Sequence, residues 1–266
     1  MIPKETNNIL YHYTSVETLY KIFHNQENGY IKLRANLFMN MNDPLDCRYF
    51  IKEVSHILSE GNKHISKDEI EKKIEKNIYD VGIPYFISFT KLKDSLPMWY
   101  MYGDKGHGVA IGFSKKLLKS AVGKFQTIGS KKNRIKNKNC FCRLCECKYW
   151  STSEIKKDFV DKYNICFDEN GEITSICEDD VCSLSYLIKH PSYKHEKESR
   201  IVFLDSSKSN ELTYKELCIP LEAVEEIICG PCGDESFVRA ILPPNYRDKV
   251  KSSEINYTDT PPQHQI

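Results

Sequence analysis

Strand-like and helical segments alternate irregularly along these 266 residues, and this irregularity constrains the fold more than any other feature. Strands are predicted where apolar residues run continuously or at every second position: 9–13, 30–33, 84–89, 108–113, 199–204, 214–220, 224–229 and 248–256. A doubly wound sheet requires a regular repeat of strand, helix and strand, which this chain lacks. The pattern therefore predicts an α+β fold with a mixed, mainly antiparallel sheet flanked by helices.

Helices are predicted between these strands from capping residues and apolar spacing. Thr14 to Glu17 reads as a capping box that opens the first helix, which Asn28-Gly29 stops. Ser66 with Glu69 forms a second capping box and opens a helix at 67–79. Further helices are predicted at 45–59, around 98–100, and at 152–165, 179–190 and 233–241.

The length allows one large domain or two small ones, and because residues 129–139 look like a loop and not a domain boundary, a single domain is predicted over 1–266, with its core at about 9–256. Hydrophobic residues make up 40% of the chain and the formal net charge is only +1, so a sizeable core is expected and nucleic-acid binding through overall charge is not. Residues 129–139 (GSKKNRIKNKN) are predicted to form an exposed basic loop. Such a loop can contact nucleic-acid phosphates, although solubility is the commoner reason for it.

The sequence contains no recognisable export or membrane-spanning segment. Its start, MIPKETNNIL, is polar, and no apolar run approaches the roughly 20 residues that span a bilayer. The chain has 11 cysteines, an odd number, and this favours reduced thiols over a disulfide framework. A cytoplasmic protein without a membrane partner is therefore predicted.

Four cysteines are concentrated in one short run: Cys140, Cys142, Cys145 and Cys147. Such a run can ligate zinc, but structural zinc sites usually take pairs of ligands from separated segments, which here would be Cys229 and Cys232. Small apolar side chains along a strand are the favoured interpretation, and no bound metal is predicted. Cys229 and Cys232 also have the spacing of a redox pair, but no clear helix follows to lower a thiol pKa.

The most informative polar pattern is Glu196-x-Glu198-x-Arg200, which runs into an apolar strand. If this segment is extended, its period of two places both carboxylates and the guanidinium on one face. Such a face suits a polar ligand, because Glu can orient a hydroxyl group and Arg offers a rigid fork for phosphate. The alternative is a surface strand whose Glu and Arg pair with each other at little energetic gain.

His12 and Tyr102 are the other candidates for ligand contacts. His12 lies on the first predicted strand and can exchange a hydrogen bond with a ligand hydroxyl near neutral pH, although a strand histidine is more often a satisfied core residue. Tyr102 lies beside a glycine turn and can present an aromatic face to a flat ring. Met98 and Trp99, just before it, are more typical of a helix packed in the core.

Taken in order, these pieces resemble a bacterial domain-of-unknown-function family over about residues 9–256. The segments that carry the resemblance are Leu10 to Ser15, Asn42-Asp43-Pro44, Phe86 to Phe89, Met98-Trp99 with Tyr102-Gly103, Gly108 to Phe113, Glu196-x-Glu198-x-Arg200, Ile219 to Val224, and Gly230-Pro231. Their combined order is specific, whereas each segment alone is not.

The His-Tyr-Thr-Ser opening is also similar, more distantly, to the first motif of ADP-ribosyltransferases, including DNA-modifying toxins and poly-ADP-ribose polymerases. That resemblance implies a split antiparallel sheet, with NAD as the substrate. It implies that His12, with Thr14 nearby, holds a ribose hydroxyl, that Tyr102 or Ser88 lines the nicotinamide pocket, and that Glu198 is catalytic. The chain departs from the family in two places: its middle motif is a Trp/Tyr helix, and Arg200 is not part of the usual plan.

Cleavage of the nicotinamide–ribose bond passes through an oxocarbenium-like state, which a carboxylate on the ribose 2-hydroxyl stabilises as positive charge develops. Glu198 fits that role, Glu196 can position or deprotonate the acceptor, and Arg200 or Arg34 can hold the pyrophosphate.

The leading hypothesis is thus an NAD-consuming ADP-ribosyltransferase, of the toxin or antiviral phage-defence type, with a nucleic-acid or protein acceptor and an antitoxin as a further partner. Two alternatives stay open. One is hydrolysis of NAD or a nucleotide, or processing of an RNA phosphate, on the same scaffold. The other is a non-catalytic nucleotide-binding sensor domain.

Overall fold

A computed structural model describes residues 8–40, 47–60, 65–132, 142–163, 165–167, 173–174, 184–205 and 214–255. It confirms the predicted fold class, because helices flank a mixed sheet whose strands pair mostly antiparallel. Asn42, Asp43 and Pro44, which belong to the second motif, lie outside the described residues.

The strands and helices follow one another irregularly along the chain. The strands are β1 Ile9–Thr14, β2 Tyr30–Leu37, β3 Ile83–Thr90, β4 Val109–Ser114, β5 Cys142–Glu146, β6 Lys148–Tyr149, β7 Cys166–Phe167, β8 Ile173–Thr174, β9 Ile188–Lys189, β10 Glu198–Asp205, β11 Tyr214–Pro220, β12 Val224–Cys229 and β13 Val250–Ser252. The helices are α1 Val16–His24, α2 Tyr49–Glu60, α3 Lys67–Val81, α4 Leu96–Tyr102, α5 Lys115–Lys132, α6 Thr152–Ile155, α7 Glu235–Ile241 and α8 Pro244–Arg247. A π-helical stretch, Lys156–Asp161, continues α6.

The chain divides into two compact units, each assembled from separated segments. The first unit contains Met1–Leu33, Ser88–Val122 and Glu216–Ile266, and the second unit contains Arg34–Ile87 and Gly123–Lys215. Because the segments of the two units alternate along the sequence, neither unit is a simple half of the chain. A single domain over 1–266 stays a prediction.

In the first unit, β1 is the middle strand. It pairs antiparallel with β4 from Ile9↔Ser114 to Thr14↔Val109, and with β3 at Tyr11↔Thr90. β12 continues the unit antiparallel to β4, and β13 adds a parallel pair to β12. One face of this sheet packs against α4 in an aromatic cluster formed by Tyr11, Tyr13, Leu92, Met98, Trp99, Ala110 and Ile228.

In the second unit, β10 is the longest strand, and its eight residues are all buried. It pairs antiparallel with β5 from Ser199↔Glu146 to Phe203↔Cys142. β6 and β9 form a short parallel pair, in which Tyr149 lies opposite Lys189. The apolar core of this unit includes Phe50, Phe86, Phe159, Tyr186 and Leu204.

Several predicted elements agree closely with the structure. Strands β11 and β12 have the predicted bounds, and the helix predicted at 67–79 is α3. Its capping box is confirmed, because the Ser66 amide donates to Glu69 at 2.9 Å and the Glu69 amide donates to the Ser66 hydroxyl at 3.3 Å.

Several predicted boundaries were wrong. The first helix is capped by Ser15, whose hydroxyl accepts from the Thr18 amide at 3.2 Å, because Thr14 is still paired as the last residue of β1. The loop predicted at 129–139 begins too early, since α5 continues to Lys132 and residues 133–139 lie outside the description. The strand predicted at 248–256 covers only Val250–Ser252.

The helix predicted at 179–190 was wrong at its C-terminal end. Ile188 and Lys189 form β9, because their backbones pair with β6. Residues 175–183 lie outside the described part of the chain, so the beginning of that prediction has no counterpart to compare. This correction matters for the candidate site, because it changes the neighbours of Lys189.

Candidate active site

Glu196, Glu198 and Arg200 converge in the second unit, but not as residues of one continuous strand. Glu198 and Arg200 lie on the same face of β10, as the period of two predicts. Glu196 instead ends a 3-10 turn, Pro191–Glu196, and Lys197 has left-handed backbone angles that interrupt the extended chain. The prediction that Glu196 shares the strand was therefore wrong, although its carboxylate still reaches the same cluster.

Arg200 forms a bidentate ion pair with Glu198. Its Nε donates to Glu198 Oε1 at 2.6 Å and its Nη2 donates to Oε2 at 3.0 Å. The Nη1 group donates to the Tyr186 carbonyl at 3.1 Å, and the guanidinium lies 5.0 Å from the centre of the Phe86 ring. Arg200 is 0% and Glu198 7% exposed, so this bidentate pair is almost entirely removed from water.

Lys189 completes the cluster. Its Nζ donates to Glu196 Oε2 at 2.6 Å and to Glu198 Oε2 at 2.9 Å, and the residue is only 4% exposed. Sequence reasoning missed Lys189 because the predicted helix at 179–190 gave it no reason to face Glu198. Its position at the end of the apolar Tyr186-Leu187-Ile188 run was the available signal. Two cations and two carboxylates thus balance in the buried quartet of Lys189, Glu196, Glu198 and Arg200.

The ionisation of Glu198 is set by these neighbours. Burial by itself raises the pKa of a carboxyl group, but the positive charges of Arg200 and Lys189 outweigh burial and lower the pKa of Glu198 to about 2. Its backbone amide also donates to the Tyr149 hydroxyl at 2.8 Å, and burial keeps that phenol neutral by raising its pKa. Glu198 is therefore an anion at neutral pH and is suited to stabilise positive charge, not to donate a proton.

His12 lies in the first unit, in the middle of β1. Its Nδ1 is 2.9 Å from the Ser88 carbonyl, and its ring centre is 5.8 Å from that of Phe89. Burial lowers the pKa of His12, although the Ser88 carbonyl partly opposes this, so the imidazole is neutral. Because a carbonyl can only accept, Nδ1 must carry the hydrogen of the neutral ring, and Nε2 must be an acceptor. His12 is thus prepared to receive a hydroxyl hydrogen.

Three other predicted ligand residues also lie in the first unit. Ser88 contributes its carbonyl to His12, while its buried hydroxyl has no hydrogen-bond partner among the described residues. Successive strand side chains point to opposite faces, so this hydroxyl leaves β3 on the side away from Phe89. Thr14 ends β1 opposite Val109. Tyr102 ends α4 and packs, partly buried, against the aromatic cluster of that unit.

Arg34, the remaining predicted ligand residue, belongs to the second unit. Its guanidinium lies over the Tyr214 ring, 4.2 Å from the ring centre, in a cation–π contact. The structure therefore brings Glu196, Glu198 and Arg200 together, with Lys189 added. It places His12 against Ser88, and it gives Arg34 an aromatic neighbour of its own.

The glycine motifs of the first unit serve close contact between two backbone turns. The Gly230 amide donates to the Gly108 carbonyl at 2.9 Å, and the Cys232 amide donates to the Gly106 carbonyl at 2.9 Å. A Cβ atom on Gly230 would collide with the Gly106 carbonyl, so a larger residue would separate the turns. These motifs are therefore explained by packing without a ligand.

Three of the described cysteines, Cys142, Cys145 and Cys229, have a raised thiol pKa. Burial raises the pKa of Cys142 to about 12 and, together with the nearby acidic Glu235 and Asp234, raises the pKa of Cys229 to about 11. A neutral thiol is a poor nucleophile, so the raised pKa of Cys229 gives no support to a redox role for that residue. Cys140 lies outside the description, and no group of three potential ligands (His, Cys, Asp or Glu) is placed to hold a metal within the residues that the structure covers.

The chain is thus an α+β protein with a buried quartet of two carboxylates and two cations. It also has a histidine on β1 whose tautomer is set by the Ser88 carbonyl. Residues 98–201 match a family described as "Protein of unknown function (DUF2971)", which supports the predicted likeness to an uncharacterised family. The matched stretch contains most of α4, all of β4 and the whole quartet, whereas His12 lies before it. No curated protein and no solved structure matches the chain. Across the residues that are described, no helix has the length and apolarity needed to cross a membrane.

Proposed function

We propose that this protein is ADP-ribosyltransferase-like and cleaves the nicotinamide–ribose bond of NAD, with Glu198 as its catalytic carboxylate. The observation that carries the proposal is the state of that carboxylate, which is ionised, buried and held by Arg200 and Lys189. A fixed anion in a water-poor site is the group that an oxocarbenium-like transition state requires.

Glu198 has an acceptor position that its hydrogen bonds with Arg200 and Lys189 do not use. An ionised carboxylate offers about four acceptor positions. Arg200 Nε occupies one position on Oε1, while Arg200 Nη2 and Lys189 Nζ occupy both positions on Oε2. The second position on Oε1 is therefore the proposed acceptor for a ribose 2-hydroxyl, and that hydrogen bond strengthens as the ribose becomes positive.

His12 is the proposed ligand of a second ribose hydroxyl, as its resemblance to the first ADP-ribosyltransferase motif implies. The fixed tautomer supports this role, since Nε2 is left as a hydrogen-bond acceptor.

Glu196 is the proposed group that orients or deprotonates the molecule to which ADP-ribose is transferred. Thr14, Ser88, Tyr102, Arg34 and Arg200 stay proposed NAD contacts, and Arg200 acts chiefly through Glu198. A toxin or defence role, with a nucleic-acid or protein acceptor, is part of the same proposal.

The test is release of nicotinamide from NAD by the purified chain, with and without cell extract. Glu198→Gln keeps the size of the side chain but removes its charge, so we expect release to fall by at least about 100-fold. Glu226→Gln is the matched control, because Glu226 is also buried and bonded to lysines, yet lies outside the quartet. The proposal fails if the wild-type chain neither binds NAD nor releases nicotinamide with any extract.

A non-catalytic nucleotide-binding sensor is the second candidate, and one observation favours it. Both carboxylates of the quartet already pair with a cation of the same cluster, Glu196 with Lys189 and Glu198 with Lys189 and Arg200. NAD binding without turnover, retained in Glu198→Gln, would identify this function. Turnover that needs no extract and yields free ADP-ribose would identify a hydrolase instead.

A further inference from the structure

Lys189 touches both carboxylates of the quartet from a separate element. It lies on β9, opposite Tyr149 of β6, and its ammonium group is buried beneath the Tyr193 ring, 4.7 Å from the ring centre. From there one nitrogen atom reaches Oε2 of Glu196 at 2.6 Å and Oε2 of Glu198 at 2.9 Å. A buried lysine with two carboxylate partners fixes the position of both.

The contact with Glu198 has a specific consequence for that carboxylate. Arg200 binds both oxygens and would, alone, leave one acceptor position open on each. Lys189 fills the remaining position on Oε2. The two oxygens therefore differ, and only Oε1 can receive another donor.

We infer that Lys189 is a positioning residue for the proposed reaction, which directs the ribose hydroxyl to Oε1 of Glu198 by occupying Oε2. This inference rests on the proposed function. It goes beyond that function by assigning a role to a residue that no motif includes. Lys189 acts through Glu198 and Glu196 and makes no proposed contact with NAD.

Among the described residues, three side chains bond to Glu198. Arg200 faces it from the same strand, Lys189 from β9, and the Tyr149 hydroxyl binds its amide from β6. Glu196 shares Lys189 and contributes a second negative charge. Loss of Lys189 would remove one of the two cations that lower the pKa of Glu198, so Lys189 also helps to keep that pKa low.

The experiment compares Lys189→Met with the double variant Lys189→Met/Glu196→Gln. The single variant removes one cation from beside two buried carboxylates and is expected to unfold readily. The double variant removes one charge of each sign, so that Glu198 and Arg200 remain as a neutral pair. We expect the double variant to fold, but to release nicotinamide with a kcat about 100-fold lower than that of the wild type. Its KM for NAD should be nearly unchanged. Glu196→Gln alone is measured beside it to separate the two losses.

The pH profile separates positioning from mere structural support. In the double variant the acidic limb of kcat should move to higher pH, because Glu198 has lost one of its two cations. Lys189→Arg should keep part of the rate that Lys189→Met loses, since arginine retains the positive charge at this position. A folded double variant with the rate and pH profile of Glu196→Gln would overturn the inference and leave the proposed function intact. A wild-type chain without nicotinamide release would overturn both.

Discussion

The two units each bury a carboxylate beside two cations, but they isolate it from water to different degrees. In the second unit, Glu198 is held by Lys189, 4% exposed, and Arg200, 0% exposed. In the first unit, Glu226 accepts from the Tyr11 hydroxyl at 2.6 Å and contacts Lys251 at 2.7 Å and Lys93 at 3.4 Å. The side chains of these two lysines are 58% and 24% exposed.

Two cations beside a buried carboxylate therefore contribute differently to stability, according to how far the cations themselves are exposed to water. Water screens Lys251, so its removal costs Glu226 little. In the quartet, water cannot replace a cation that is removed, because Lys189 and Arg200 are both buried, so the loss of either is expected to cost more. The quartet thus keeps both of its cations away from water, whereas Glu226 is buried but its two lysine partners reach the solvent. The three predictions below test this contrast, in order of decreasing effect.

The largest effect is expected from Arg200→Met. This variant leaves two buried carboxylates with Lys189 alone, so the free energy of unfolding should fall by about 3–5 kcal/mol. Urea unfolding at neutral pH measures the change. Arg34→Met is the control in the same unit, since Arg34 is exposed over Tyr214, and it should cost no more than about 1 kcal/mol. Equal losses in both variants would contradict the special status of the quartet.

The second-largest effect is expected on the stability of the protein at acidic pH. Burial would raise the pKa of Glu198, but Arg200 and Lys189 lower it from 4.5 to about 2 in the folded protein. A lowered pKa adds stability above the ordinary value, and that stability is lost as the pH falls towards the folded value. Between pH 4.5 and about 2, the wild type should therefore lose about 3 kcal/mol more than a Glu198→Gln/Arg200→Met variant. Parallel acid-unfolding curves would refute this assignment.

The smallest effect is expected from Lys251→Met. The lysine is 58% exposed, and Glu226 keeps its contacts with Tyr11 and Lys93, so the loss should be at most about 1 kcal/mol. The same urea titration applies. A loss as large as that of Arg200→Met would erase the distinction between the two clusters.

Much of the fold follows from local pattern. β11 and β12 were predicted with correct bounds because apolar residues and flanking turns mark them on both sides. The capping box of α3 is local as well, since Ser66 and Glu69 are three residues apart. The end of the predicted 179–190 helix was wrong for the opposite reason. β9 has only two residues and exists through its pairing with β6, a segment about forty positions away.

The candidate site shows the same limit. The Glu198–Arg200 pair was visible, because a strand period of two connects them. Lys189 was not visible, because no periodicity relates it to Glu198 once the chain passes through the Pro191–Glu196 turn. The tautomer of His12 was equally hidden, since it depends on a carbonyl of β3.

By itself, the sequence determined the α+β class, most strands and helices, and the identity of the acidic and basic residues at the centre of the proposal. These are properties of neighbouring residues, set by hydrophobic spacing and capping. Only the tertiary structure decided which charges meet, which oxygen of Glu198 stays open and which nitrogen of His12 accepts. Those outcomes depend on burial and on hydrogen bonds between segments far apart in the chain, where low solvent access makes each contact strong.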